Sequence, residues 1–190
     1  MTMQYLRIVF SLISIALMCN ACEEKVDLVR VFVIRKGEHY ATPRVLESLQ
    51  TSTIRFQARF DASAVYDFRQ EGFQDSKNKL FGFSDCNDLH HDNSARFAWQ
   101  WFNDRVEIFA YCYVDGERVE AFVGTVGLNE FSDYRISITD GYYEFQLNGG
   151  EPVRIKRGSV CERGVYYKLW PYFGGTLPAP HDVTIAIRES

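Results

Sequence analysis

The stretch SARFAWQWFNDRVEIFAYCYV, residues 94–114, decides the fold class. Across Ser94–Phe102, Phe97, Trp99 and Trp101 alternate with Arg96 and Gln100. Across Val106–Val114, one phase is Val106, Ile108, Ala110, Cys112 and Val114, and the other is Glu107, Phe109, Tyr111 and Tyr113. Successive side chains of a strand point to opposite faces, so strict alternation marks strands with two different environments.

The same reading extends in both directions. Val26–Arg35 is β-branched and apolar, and Thr53–Asp61 sets Ile54, Phe56, Ala58 and Phe60 against Arg55, Gln57 and Arg59. Asp115-Gly116, Asp140-Gly141 and Asn148-Gly149 place residues that tolerate positive φ between alternating runs, as two-residue hairpin turns require. The closing strands are Tyr166–Phe173 and Val183–Arg188, with a Gly- and Pro-rich turn over 174–180 between them. Only Pro43–Leu49 and Ala62–Phe68 could hold a helical turn. About ten strands with no helical layer must bury their faces sheet against sheet, which predicts an all-β, two-sheet antiparallel jelly-roll sandwich.

A chain of 190 residues suits a single domain, and 46% hydrophobic with 24% charged residues excludes disorder. The balance of 21 Lys+Arg against 25 Asp+Glu, net −4, argues against a nucleic-acid binder. Residues 1–21 differ in kind from the rest. Arg7 is their only charge, and the apolar run Ile8–Met18 that follows is too short to span a bilayer but fits a secretory signal. Ala21-Cys22 fits lipid attachment at Cys22, with plain cleavage after Ala21 as the alternative. Residues 22–190 then form one sandwich domain, net −5, on an exported outer-membrane lipoprotein, periplasmic or cell-surface, that meets the membrane through its lipid anchor only. Of the remaining cysteines, Cys112 reads as a buried hydrophobe, while Cys86 and Cys161 fall in loops and could pair.

No G-x-S-x-G, phosphate-binding glycine loop or H-E-x-x-H is present. Glu107-Ile108-Phe109-Ala110-Tyr111 lacks a second carboxylate, which argues against a two-carboxylate glycosidase. If Phe97, Trp99, Trp101, Ile108, Ala110, Leu169 and Phe173 face the core, the opposite phase collects Arg96, Gln100, Glu107, Tyr111, Tyr113, Lys168, Trp170 and Tyr172. Rings with polar edges stack on sugars and cations bind carboxylates, so this face, taken as a concave one, is a candidate glycan site. A face covered by a loop or a protein partner, with Arg96 paired to Glu107, is the competing arrangement. No cofactor is required. The loop Ser84–Asn93 and Asp182 offer oxygen ligands for a structural calcium, although EF-hand spacing is missing.

Three motifs, Asn78-Lys79-Leu80-Phe81-Gly82-Phe83, Ser94-Ala95-Arg96-Phe97-Ala98-Trp99 and Glu107-Ile108-Phe109-Ala110-Tyr111-Cys112-Tyr113, resemble the K-L-x-G, S-x-R-x-x-W and E-x-Y-x-Y series of glucuronan lyase-type polysaccharide lyases. Those belong to the concanavalin A-like superfamily. The resemblance covers residues 78–113 and departs at Phe109, where the first Tyr would stand, and at Phe81-Gly82, in place of Pro-Gly. The segment 166–182 resembles the closing strands of uncharacterised surface lipoproteins of this fold. The resemblance to the lyases implies β-elimination on a uronic acid, with Arg96 neutralising the carboxylate and Tyr111, Tyr113, His90 and Lys168 as candidates for the remaining roles. The leading expectation is glycan binding; the alternatives are such a lyase and a non-catalytic protein-docking component.

Overall fold

A computed structural model describes residues 28–158 and 166–190. The expected signal segment, Cys22 and Cys161 lie outside these residues. The strands are β1 (Val29–Ile34), β2 (Ala41–Thr42), β3 (Thr53–Phe60), β4 (Asn78–Ser84), β5 (Ser94–Phe102), β6 (Arg105–Val114), β7 (Glu117–Val126), β8 (Ser132–Thr139), β9 (Tyr142–Leu147), β10 (Val153–Lys156), β11 (Tyr167–Leu169) and β12 (Val183–Glu189). They form a seven-stranded sheet, β10-β9-β8-β3-β12-β1-β2, and a five-stranded sheet, β11-β4-β5-β6-β7. Every pairing is antiparallel. The all-β sandwich is as expected, with twelve strands among the described residues rather than about ten, because β2 and β10 are too short to show as alternation.

The apolar phases of both sheets meet in one core. Phe56 on β3 lies edge-on to Phe81 at 4.8 Å and to Phe97 at 6.0 Å, and Phe97 meets Phe145 at 5.1 Å. These rings cross from sheet to sheet, and such pairs add about 0.5–1.5 kcal/mol each beyond the area they bury. Cys112 is free and fully buried among them.

The three expected hairpin turns all carry positive φ at both positions, as does a fourth, Asn103-Asp104, which joins β5 to β6. Pro43–Leu49 holds no helical turn. Its ends are pulled into sheet-like pairing, Ala41–Thr42 against β1 and Leu49 N–H against the Tyr166 carbonyl at 3.1 Å. In Ala62–Phe68 only Ala62–Ala64 is helical, a 3-10 turn capped by the Asp61 carboxylate. The expected strand Tyr166–Phe173 stops at Leu169, and Tyr172 makes only isolated bridges, to Tyr40 and to Lys79.

One buried polar cluster ties the sheets together at the β4–β5 end. Asp85 is fully buried and accepts Tyr143 Oη at 2.7 Å and Arg157 Nε and Nη2 at 2.6 and 2.8 Å. Cys86, next to it, is disulfide-bonded. The expected partner, Cys161, lies outside the described residues.

Candidate functional site

Cross-strand register assembles the outer face of the five-stranded sheet in rows. One row runs Tyr167, Ser84, Ser94, Tyr113, Arg118, and the next Leu169, Gly82, Arg96, Tyr111, Glu120. Directly paired residues share a face, so small side chains at Gly82, Ser84 and Ser94 leave a trough between tyrosines on either side. Arg96 stands in its floor. A Cβ on Gly82 would lie 2.2 Å from the Ala95 carbonyl oxygen and 2.4 Å from Arg96 Cα, so only glycine lets β4 pass this close.

A third row carries Lys79. By alternation Lys79 shares a phase with the core residues Phe81 and Phe83, so strand phase gives no sign of it as a site residue, although it stands in the K-L-x-G motif. The register slips between Lys79 and Phe81, and that bulge turns Lys79 onto the outer face opposite Ala98. Its Nζ donates to the carbonyls of Lys77 at 3.0 Å and Gly174 at 2.9 Å, and lies 5.0 Å from the Tyr111 ring centroid. Burial, reinforced by Arg96, brings its pKa down to about 8.

Arg96 is 6% exposed, and no hydrogen bond or ion pair holds it among the described residues; its Nε is buried without a partner. The guanidinium sits 5.4 Å from the centroid of the Tyr111 ring. Burial lowers its pKa, and what opposes the shift is tyrosine (Tyr111, Tyr113, Tyr167) and Cys112, not carboxylate. Burial together with Tyr113 pushes Tyr111 up to about 12, so that phenol keeps its proton across the neutral range. His90 enters from the β4–β5 loop, its Nδ1 3.1 Å from Tyr167 Oη. Burial, Arg96 and His91 bring its pKa down to about 4, leaving a neutral imidazole at pH 7.

A groove of about 420 Å³ opens over Arg96 and His90, walled by Tyr40, Arg44, Tyr167 and Tyr172, with Lys168 and Trp170 also in its lining. Tyr40 meets Tyr172 edge-on at 4.9 Å, and Arg44 covers Tyr40 at 3.9 Å. Tyr40, Arg44, Tyr167 and Arg118 stand at this site without any alternating pattern that would have picked them out.

The structure brings Arg96, Tyr111, Tyr113 and His90 together. The four other expected ligand residues are engaged by neighbours, although Lys168 and Trp170 also line the groove. Gln100 and Glu107 share the face but are buried against each other at 2.8 Å, and Arg105 holds the other Glu107 oxygen at 3.1 Å. The Arg96–Glu107 pair is therefore absent. Lys168 and Trp170 lie in the opposite phase from the one expected: β11 pairs Lys168 with the core residue Phe83 and Leu169 with Gly82. Trp170 and Pro171 then break the alternation, so Phe173 is buried in the core while Leu169 lines the groove. Trp170 stacks on Phe32 at 5.1 Å and donates Nε1 to the Val45 carbonyl at 2.7 Å. Lys168 pairs with Glu47 at 2.7 Å and Glu189 at 2.5 Å; burial opposes its charge, but the two carboxylates outweigh that and hold its pKa above the usual lysine value. Both residues thus pin the 43–49 wall while also lining the groove. Asp182 is engaged by Arg35 at 2.5 Å and by the Lys36 N–H at 2.9 Å, and among the described residues no three His, Cys, Asp or Glu side chains gather as metal ligands.

Neither a protein-family model nor a curated protein sequence matches the chain. Solved structures do resemble it. Alginate lyase AlyC3 is 11% identical with a TM-score of 0.57, over 87% of this chain and 75% of that one. Alginate lyase vAL-1 from Chlorella virus is 15% identical with a TM-score of 0.53, over 85% and 82%. The laminarinase catalytic domain from Thermotoga petrophila RKU-1 is 9% identical with a TM-score of 0.57, over 85% and 75%. The chain has the concanavalin A-like jelly-roll fold that these proteins share.

Proposed function

We propose that the groove binds a uronate-bearing polysaccharide and cleaves it by β-elimination. The observation that carries this is Arg96, a buried guanidinium with no carboxylate of its own on the floor of an aromatic-walled groove. An uncompensated buried charge is costly, and a ligand carboxylate would satisfy it with paired N–H donors. Lys79 adds a second cation beside the same tyrosine.

A carboxylate neutralised by Arg96 and Lys79 acidifies the proton on the adjacent ring carbon, C5. Neutral His90 accepts that proton. The electron pair left behind forms the C4–C5 double bond as the C4–O4 bond breaks, and Tyr111, which stays protonated, delivers its proton to the departing O4. Tyr113 lies beside Tyr111, with ring centroids 6.0 Å apart, and supports the transfer. The folds of the two alginate lyases are consistent with this chemistry, and the leader supports a position outside the cytoplasm, where such polymers are met.

The test is incubation with a panel of uronate polymers, alginate among them, while following the ultraviolet absorbance of the unsaturated uronate. Rising absorbance that is lost in Arg96→Ala and Tyr111→Phe is expected. Binding without any rise across the panel would leave the groove as a glycan-binding site alone.

A further inference from the structure

We propose that the outer face of the seven-stranded sheet is a second binding surface, and that it docks on an anionic lipid headgroup layer. The surface lies on the opposite side of the sandwich from the groove and does not depend on the reading of the groove.

Register places Arg55 directly opposite Arg135, Gln57 opposite both Asp133 and Arg188, and Arg59 opposite Ala186. Like charges on directly paired residues destabilise a sheet, yet Arg55 and Arg135 face each other here. Among the described residues neither they nor Arg59 and Arg188 enter a salt bridge. Arg135 and Arg188 each keep a buried Nε without a partner. Asp133, the carboxylate in their midst, is held by Gln57 Nε2 at 2.9 Å, while Arg188 donates to the Gln57 oxygen at 3.1 Å. Arg59 and Arg188 both cover Phe131, at 5.1 and 4.6 Å. The guanidiniums are thus spread over one face, braced by neutral groups, while its two carboxylates among the described residues are taken by others, Asp133 by Gln57 and Glu144 by Arg154.

What favours a lipid layer over a soluble polyanion is the fringe. On β1, the strand after β12, Val29 pairs with Arg188 and Val31 with Ala186, which continues the arginine rows in apolar side chains. Val29 is 38% exposed and Val31 49%. Arginines beside exposed aliphatic groups suit a surface with phosphates above and acyl chains below. The chain also enters the sandwich here: Leu28, 73% exposed, precedes β1. An anchor at Cys22, as the leader predicts, lies within reach of about 20 Å when the connection is extended. Docking on this face would turn the groove away from the membrane, towards polymer.

The test is flotation of the full chain with vesicles of phosphatidylcholine alone or of equal parts phosphatidylcholine and phosphatidylglycerol. The expected result is binding to the mixed vesicles at least about tenfold tighter, weakened by salt. A variant carrying Arg55→Gln, Arg59→Gln, Arg135→Gln and Arg188→Gln should lose that preference, and Val31→Asp should weaken binding to the mixed vesicles. The leader and any anchor are the same in all variants, and retained far-UV circular dichroism shows that the arginine variant is folded. Equal binding to both vesicle types, or a preference that survives in the folded arginine variant, overturns the proposal. So does binding of soluble polyuronate that the four substitutions abolish without any vesicle preference in the parent, which would make this face a second glycan surface.

Discussion

Arg96 lies over the ring of Tyr111 with its guanidinium carbon 5.4 Å from the centroid, and the two residues are register partners on β5 and β6. The ring gives the cation a soft, incomplete counter-charge. A carboxylate there would close the site to an acidic ligand, whereas a π face leaves the guanidinium electrostatically unsatisfied and open to one. In the proposed reaction the pairing sets where a ligand carboxylate binds and which phenol lies beside it.

The first prediction follows from that imbalance. Arg96→Met should raise stability by about 1–3 kcal/mol, because a buried, unpaired charge is replaced by an apolar chain of similar length. Lyase turnover should fall by about 10²–10³-fold in the same variant. Arg96→Lys should recover little, since an ammonium cannot present two parallel donors to a carboxylate. Thermal melting and turnover on one uronate polymer check both halves; a destabilised Arg96→Met would show that the guanidinium serves the fold instead.

Gly82→Ala should destabilise the sandwich by about 3 kcal/mol or more, the range of severe overpacking. The added methyl would meet the Ala95 carbonyl and the Arg96 backbone, at 2.2 and 2.4 Å, and neither can swing aside. Denaturant unfolding measures the loss. Ala at the open turn residue Gly72, with positive φ and no neighbour within 4 Å, suffers backbone strain without a clash, so a larger loss at Gly82, whose φ is not positive, is steric.

The alternation in residues 94–114 was enough to give the sandwich, its core phase and the Arg96–Tyr111 face, because a period of two is a local property. What it could not give is whatever depends on where the period breaks. The bulge before Phe81 moved Lys79 from the core side to the site, and the interruption at Trp170-Pro171 reversed Lys168 and Trp170. Gln100 and Glu107 lie on the expected face, but their mutual hydrogen bond is set by which polar side chain stands opposite, and register is not written in either strand alone. Tyr40 and Arg44 reach the groove from either side of the two-residue β2, which is too short for a periodicity to be read.

Asp85→Asn should cost about 3–5 kcal/mol, as for breaking a buried ion pair from one side. The carboxylate has no exposure and takes both the Arg157 fork and the Tyr143 hydroxyl, whose pKa is pushed up by burial and by Asp85. An amide in its place keeps the shape but loses the charge that Arg157 needs. Equilibrium unfolding with Cys86 kept oxidised in both proteins isolates the effect.

Both shifted bases make stability rise with pH, whereas function falls at the alkaline end. His90 has a folded pKa of about 4, below its unfolded value, so the unfolded chain takes up the proton first. Stability linked to His90 is therefore fully present above the ordinary histidine pKa of about 6.5 and is lost as pH falls towards 4. Lys79 has a folded pKa of about 8, so between pH 8 and the ordinary lysine value of about 10.4 the unfolded chain holds more protons, and its contribution to stability rises with pH. Function should move the other way at the alkaline end. As Lys79 loses its charge above pH 8, the KM for a uronate polymer should rise while kcat changes less; protonation of His90 near pH 4 should lower kcat. Lys79→Met should raise KM at pH 7 and remove the alkaline rise, with kcat still falling at acid pH. A KM profile that stays level from pH 7 to 9 in the parent protein would take Lys79 out of the binding site.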